Sequence, residues 1–216
     1  MAVAAVSRRY LLRAVIVGAA ASPVFARIAA AEPVRADMIA PIQHLNAALL
    51  AIMKAGQRMP FQQRYDMLAP VVEQTFDLSA ILQLSIGPRW ASLSADEQAR
   101  LSAAFRRYTI ATYVANFDAF SGQTLEVSPE IRTMPNGECI VQSTIASPGQ
   151  PGHTLGYVMR QNGSSWRVVD VLAEGSVSRV AAQRSDFRAA LANGGGAALA
   201  AKLERKIADL SGGRLA

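Results

Sequence analysis

The chain has 216 residues, 51% of them hydrophobic, which is enough for one domain with a sizeable core. Its formal charge of +6 invites a polyanion partner, but four of its 22 basic residues (Arg8, Arg9, Arg13 and Arg27) lie in the first 31 positions, which hold no acid, so the rest carries 18 basic against 16 acidic residues. A nearly neutral body with no dense basic run among aromatics excludes nucleic acid as a natural partner, and the single cysteine, Cys139, excludes an internal disulfide and a cysteine-based metal cluster.

The N-terminus reads as an export signal over 1–31. "SRRYLLR" is a charged leader, and "AVIVGAAASPVFA" is a short apolar stretch. Ala29 and Ala31 are the small residues expected before a cleavage point at Glu32. The apolar stretch of 13 residues is too short for a bilayer, which needs about 20. Arg8-Arg9 followed by Leu11-Leu12 suits a twin-arginine signal as well as a general secretory one. The expectation is a cleaved signal, with a retained N-terminal anchor as the alternative, and a single domain over 32–216 in the periplasm.

The first half predicts helices. Met38, Ile42, Leu45, Leu49 and Ile52 recur at three- and four-residue steps, giving an amphipathic helix over about 35–56. A second spans about 60–75, kinked or split by Pro70. Asp77 caps a short third helix, which ends before Gly87-Pro88. Ser94 and Glu97 have capping-box spacing and open a long helix over about 95–119, with Leu101, Phe105, Tyr108 and Thr112 as its stripe.

Beyond Ser121 the period changes to two. Strands are expected over about 123–128, 138–146, 153–161 and 165–172, with Asn162-Gly163 as a hairpin turn. After Gly175 two more helices follow, hinged at Asn193–Gly196. Helices, then grouped strands, then helices predict an α+β fold: a curved, mainly antiparallel four-stranded sheet wrapped by about six helices.

Chemistry-bearing motifs are scarce. His44 falls on the polar side of the first helix and His153 in a Pro/Gly-rich turn. Neither G-x-S-x-G nor a glycine-rich nucleotide-binding motif is present, and no cluster has metal-ligand spacing. No cofactor or metal is therefore expected. Asp170 is the one suspicious acid, in "SSWRVVDVLAEGSVSRV". Strict alternation places it beside Trp166, Val168 and Leu172, with Val169 and Val171 opposite. It can serve as a buried base, pair with a basic group or face solvent, and pairing with a basic group is expected. Apolar residues on both faces of this strand fit a plain two-layer core, or a sheet that walls an apolar cavity.

Three blocks, in order, carry a resemblance. They are "IGPRWASLSADEQARLSAAFRRYTIATYVANFDAFSGQTLEV", "YVMRQNGSSWRVVDVLAEGSVSRV" and the closing "QRSDFRAAL" with "GGGAALAAKLERK". Together they resemble the MlaC, or toluene-tolerance auxiliary, family of periplasmic lipid-binding proteins, over about 60–210. "EGSVSRVAAQRSDF" is most similar to the hopanoid-associated HpnM branch. Val169 stands where the family has a tyrosine, as suits a branch with a different cargo.

The resemblance implies a cone-like fold with an apolar cavity. It implies a soluble, non-enzymatic carrier that shields phospholipid or hopanoid tails and moves them between an inner-membrane ABC transporter complex and an outer-membrane lipoprotein complex, touching membrane surfaces only transiently. Candidate pocket residues are Phe105, Tyr108, Tyr113 and Phe117 on the long helix, with Tyr157, Trp166, Val168, Val171 and Leu172 on the sheet. Arg106, Arg107, Arg184 and Arg188 are candidate contacts for anionic headgroups, and Gly122, Gly175 and Gly194–Gly196 are candidate pivots. Two alternatives remain: an isomerase-like enzyme that uses Asp170 on a steroid-like or hopanoid substrate, and an adaptor of a membrane transport complex that holds no ligand.

Overall fold

A computed structural model of the chain describes residues 24–215, with side chains described from Val34 onward. Most of the expected export signal therefore lies outside the described residues. The helices are α1 (Val24–Ala55), α2 (Phe61–Thr75), α3 (Leu78–Ile86), α4 (Ala95–Asn116) and α5 (Arg179–Ser211). The strands are β1 (Thr124–Thr133), β2 (Cys139–Ala146), β3 (His153–Asn162), β4 (Ser165–Ala173) and β5 (Val177–Ser178).

The local signals in the sequence operate as chemistry dictates. The Asp77 carboxylate accepts from the Ala80 amide at 2.9 Å and caps α3. Ser94 and Glu97 form a reciprocal capping box at the start of α4, with bonds of 3.2 and 3.0 Å. Pro70 neither splits nor ends α2. It sits on the exposed face, and so does Asp66, whose carbonyl loses its helical donor to the proline and is left to water.

The five strands form an antiparallel meander in chain order. The structure thus has one strand more than the four expected: two-residue β5 is too short to show alternation. β1 also extends to Thr133, past Pro129, because a register shift between Val127 and Ile131 accommodates the proline on an edge strand. The expected last two helices are the two arms of α5, broken at Gly194 and at Gly195, which takes φ 63° and ψ −151°. Among the described residues this makes five helices rather than six.

A second register shift corrects the alternation expected in β4. Met159 pairs with Val168, but its neighbour Val158 pairs with Asp170, so Val169 is an extra residue. Trp166, Val168 and Val171 therefore all meet the main core, whereas Val169 and Leu172 join Ile140 and Val158 in a small cluster on the other face.

The helical layer covers the first face unevenly. α1 lies on β1, β2 and β4, whereas α4 packs mainly on α2, α3 and α5 and stands off the sheet. The backbone just before α3 closes one end of the open β4 edge, where the Asp77 amide donates to the Val168 carbonyl at 2.9 Å, and β5 closes the other.

Candidate functional site

Where α4 stands off, a cavity of about 340 Å³ opens between helix and sheet. α4 lines one side with Phe105, Tyr108, Thr109, Thr112, Tyr113 and Asn116, one face of a helix at steps of three and four. Leu155, Val171 and Ala173 of β3 and β4 line the other. Phe76 and Ile81 form an end wall, and Val177 of β5 covers the cavity together with Arg179, Val180 and Gln183 at the start of α5. Most of the exposed lining surface is apolar. The polar groups concentrate on α4 and at the head of α5.

Two aromatic contacts hold the α4 wall. The Tyr113 ring stacks on Phe117 with centroids 6.0 Å apart, and it leans on Phe76 at 5.6 Å. Phe105 meets Phe187 of α5 edge to face at 6.3 Å, which ties the covering arm to α4. Burial pushes the Tyr113 phenol well above its usual range; Tyr157 nearby adds to this and Arg179 opposes it. Arg179 is itself exposed, a cation at the cavity's rim.

Of the nine candidate pocket residues, Phe105, Tyr108, Tyr113, Phe117 and Val171 line the cavity. Tyr157 and Val168 are buried in the core beside it, Trp166 packs against that core, and Leu172 is on the opposite face of the sheet because of the β4 bulge. Sequence reasoning missed Thr109, Gln183 and Arg179. The spacing of Thr109 from Phe105 and Thr112 was a usable signal, since it falls on the same helical face. Nothing in the sequence aimed Gln183 or Arg179 at the cavity, because both depend on how α5 folds back over α4.

The expected arginine contacts are engaged elsewhere. Arg106 pairs with Glu73, Arg107 with Glu204 at 2.7 Å, and Arg184 donates to the Leu84 carbonyl at 2.6 Å. None of these, nor Arg188, lines the cavity.

Asp170 does line it, but its oxygens are taken. Oδ1 accepts from the amides of Val171 at 2.8 Å and Val180 at 3.0 Å, and Oδ2 accepts from the Ser178 hydroxyl at 2.5 Å. Ser178 Oγ in turn accepts from the Ala181 amide at 3.0 Å. The expected basic partner is absent among the described residues; the carboxylate instead anchors the first turn of α5, where helix N–H groups need an acceptor. His153 is held instead by Glu174 at 2.9 Å on the exposed surface. Among the described residues no cluster of His, Cys, Asp and Glu could hold a metal ion.

A second cleft, of about 560 Å³, lies between the α1–α2 turn and the end of α5 and is lined by Arg58, Arg64, Asp118 and Arg214. Arg64 is buried there and donates to the carbonyls of Met59 and Val114, each at 3.3 Å. It thereby satisfies the last turn of α4.

A solved structure with the same fold is that of a phospholipid-binding protein from Ralstonia solanacearum, in complex with a phospholipid. The two share 19% sequence identity and superpose with a TM-score of 0.69, over 81% of this chain and 98% of that one. No curated protein sequence matches this chain. The family model described as MlaC protein matches residues 43–205, three quarters of the chain, and on that match the chain belongs to the MlaC family.

Proposed function

We propose that this protein is a soluble, non-enzymatic carrier of a membrane lipid, phospholipid or hopanoid, acting in the periplasm between inner- and outer-membrane transport complexes. The cavity between α4 and the sheet carries the reading. Its sheet side offers Leu155, Val171 and Ala173 to an apolar chain, and its rim offers the Arg179 guanidinium to an anionic headgroup. Exposed Val177, beside that rim, suits brief contact with a bilayer surface. The family membership and the phospholipid held by the Ralstonia protein support the same reading. The periplasmic setting rests on the export pattern of residues 1–31, the hopanoid option on "EGSVSRVAAQRSDF", and the transport complexes on the family resemblance.

Each methylene moved out of water contributes about 0.8 kcal/mol, so a two-chain lipid leaves a bilayer only into a comparable apolar space. A cavity of 340 Å³ is near the lower end of the range of about 300–1,000 Å³ for small-molecule sites. A full lipid therefore requires the covering arm, Arg179 to Asn193, to swing about Gly194–Gly195. The catalytic alternative lacks a free base, since three donors already hold Asp170.

Protein purified from membrane-bearing cells, taken to native mass spectrometry and then solvent extraction, should carry one lipid per chain. Protein that arrives empty and takes nothing up from vesicles would sink the proposal.

A further inference from the structure

The second cleft shares no lining residue with the cavity beneath α4, and its chemistry is the opposite. Most of its exposed lining is polar, and Arg58, Arg64 and Arg214 line it with one carboxylate, Asp118. Among the described residues none of the three arginines pairs with a carboxylate, Asp118 included. Arg58 and Arg214 are exposed, which is ordinary for an unpaired arginine. Arg64 is only 5% exposed, and a charge so buried ordinarily has an opposite charge beside it. Its acceptors among the described residues are the Met59 and Val114 carbonyls, reached by Nε and Nη1 at 3.3 Å each. Charge-assisted bonds run to about 2.7–2.9 Å, so these neutral carbonyls compensate the guanidinium weakly. Phe61 backs the group, its ring centroid 5.6 Å from the guanidinium carbon.

A helix end adds to the field. Pro60 and Phe61, the cap and the first residue of α2, line the same cleft. No side chain caps that N-terminus, and its first turn holds no acid. Amides at a bare helix N-terminus favour an anion. We propose that this cleft binds phosphate or a phosphate monoester, with buried Arg64 as the fixed anchor and exposed Arg58 and Arg214 as its flexible partners. Three guanidiniums with one carboxylate leave an excess of two positive charges, which a phosphate dianion matches and a single carboxylate does not. At about 560 Å³ the cleft has room for an ester substituent, so the phosphate is either free in solution or carried on a bilayer headgroup.

Titration calorimetry of the full chain in phosphate-free buffer measures binding of inorganic phosphate and of glycerol 3-phosphate, with sodium chloride matching the ionic strength. Nuclear magnetic resonance follows the Arg64 Nε–H signal through the same titration. Both phosphates should bind, and the Arg64 signal should move as the site fills. Arg58→Gln and Arg214→Gln, both at exposed positions, should each weaken binding by about tenfold, roughly the value of one charge-assisted contact. Vesicles of phosphatidylcholine containing phosphatidic acid distinguish the sources. Sedimentation of wild type with them, lost in the Arg58→Gln/Arg214→Gln double variant, assigns the phosphate to a bilayer headgroup; binding of the soluble phosphates alone assigns it to a free one. Either result upholds the site. Binding to neither overturns it, and so does an affinity unchanged in both variants or an Arg64 signal that chloride moves equally. A polyglutamate peptide that binds where phosphate does not overturns the phosphate assignment in favour of an acidic protein partner.

Discussion

α1 and α4 are both long helices facing the same sheet, yet one seals against it and the other does not. The stripe of α1 is Met38, Ile42, Leu45, Leu49 and Ile52, all buried. These side chains are similar in length, so the helix settles evenly on β1 and β2. The facing stripe of α4 alternates rings with short hydroxyl-bearing side chains: Phe105, Tyr108, Thr109, Thr112 and Tyr113. Large rings brace against Phe76, Phe117 and Phe187, while the threonines are too short to reach the sheet. The cavity thus follows from side-chain length along α4, while the ring contacts tie that helix to Phe76 and to α5 rather than to the strands. The difference shows that hydrophobic patterning decides which face of a helix turns inward, whereas the sizes along that face decide whether the interior is filled.

The largest effect should come from breaking the sealed side. Leu45 is fully buried, and Leu45→Ala should destabilise the fold by about 2–5 kcal/mol. Val171→Ala, on the cavity side, should cost less than about 1 kcal/mol, because its methyl groups already face open space and lose few contacts. Urea denaturation of both variants measures the contrast. Equal losses would mean that the two interfaces are packed alike, and the comparison would fail.

The cover over the cavity should be intermediate. Gly195 holds a backbone conformation essentially reserved for glycine, so Gly195→Ala should cost about 1–3 kcal/mol and misplace the two arms of α5. Asp170→Ala removes the acceptor for the Val180 amide and the Ser178 hydroxyl. It should cost about 1–2 kcal/mol. Both variants should also release bound lipid faster than wild type, measured by transfer between labelled vesicles. Val171→Ala should speed release less than either, since it leaves the cover in place and trims only part of the apolar wall.

The elements were legible because they rest on local chemistry. The α1 stripe, the Asp77 cap, the Ser94–Glu97 box, the Asn162-Gly163 turn and the glycine break in α5 all depend on residues a few positions apart. The features that shape the cavity depend on contacts across the chain. The extra residue at Val169 is set by the register with β3, so alternation alone put Val168 and Leu172 on one face when they lie on opposite ones. The same limit hid Arg179 and Gln183, which reach the cavity only when α5 folds back. It also made Asp170 look like an acid in search of a base, since its real partners, Ser178 and Val180, follow a turn made by Glu174 and Gly175 with left-handed backbone.

The smallest and most diagnostic effect lies at Glu97, where the two regions meet. One carboxylate oxygen closes the capping box of α4; the other accepts from the Gly196 amide at 3.1 Å, at the head of the second arm of α5. A Cβ at Gly196 would stand 3.0 Å from Glu97 Cβ and Oε1, so a larger residue there would push Glu97 back. Bonds from Ser94, then Gly196 and Ala197, hold the Glu97 pKa below its usual 4.5. A depressed carboxylate contributes stability above its unfolded pKa and loses it as pH falls through the folded one. Glu97→Gln should therefore be less stable than wild type at neutral pH, and the gap should narrow as pH drops below about 4.5. Thermal melts of the two proteins across that range check the sign. A gap independent of pH would mean that Glu97 acts through its shape alone. A gap that narrows, together with faster lipid release from Glu97→Gln at neutral pH, would show that the tie between α4 and the α5 hinge is electrostatic and governs how readily the cavity opens.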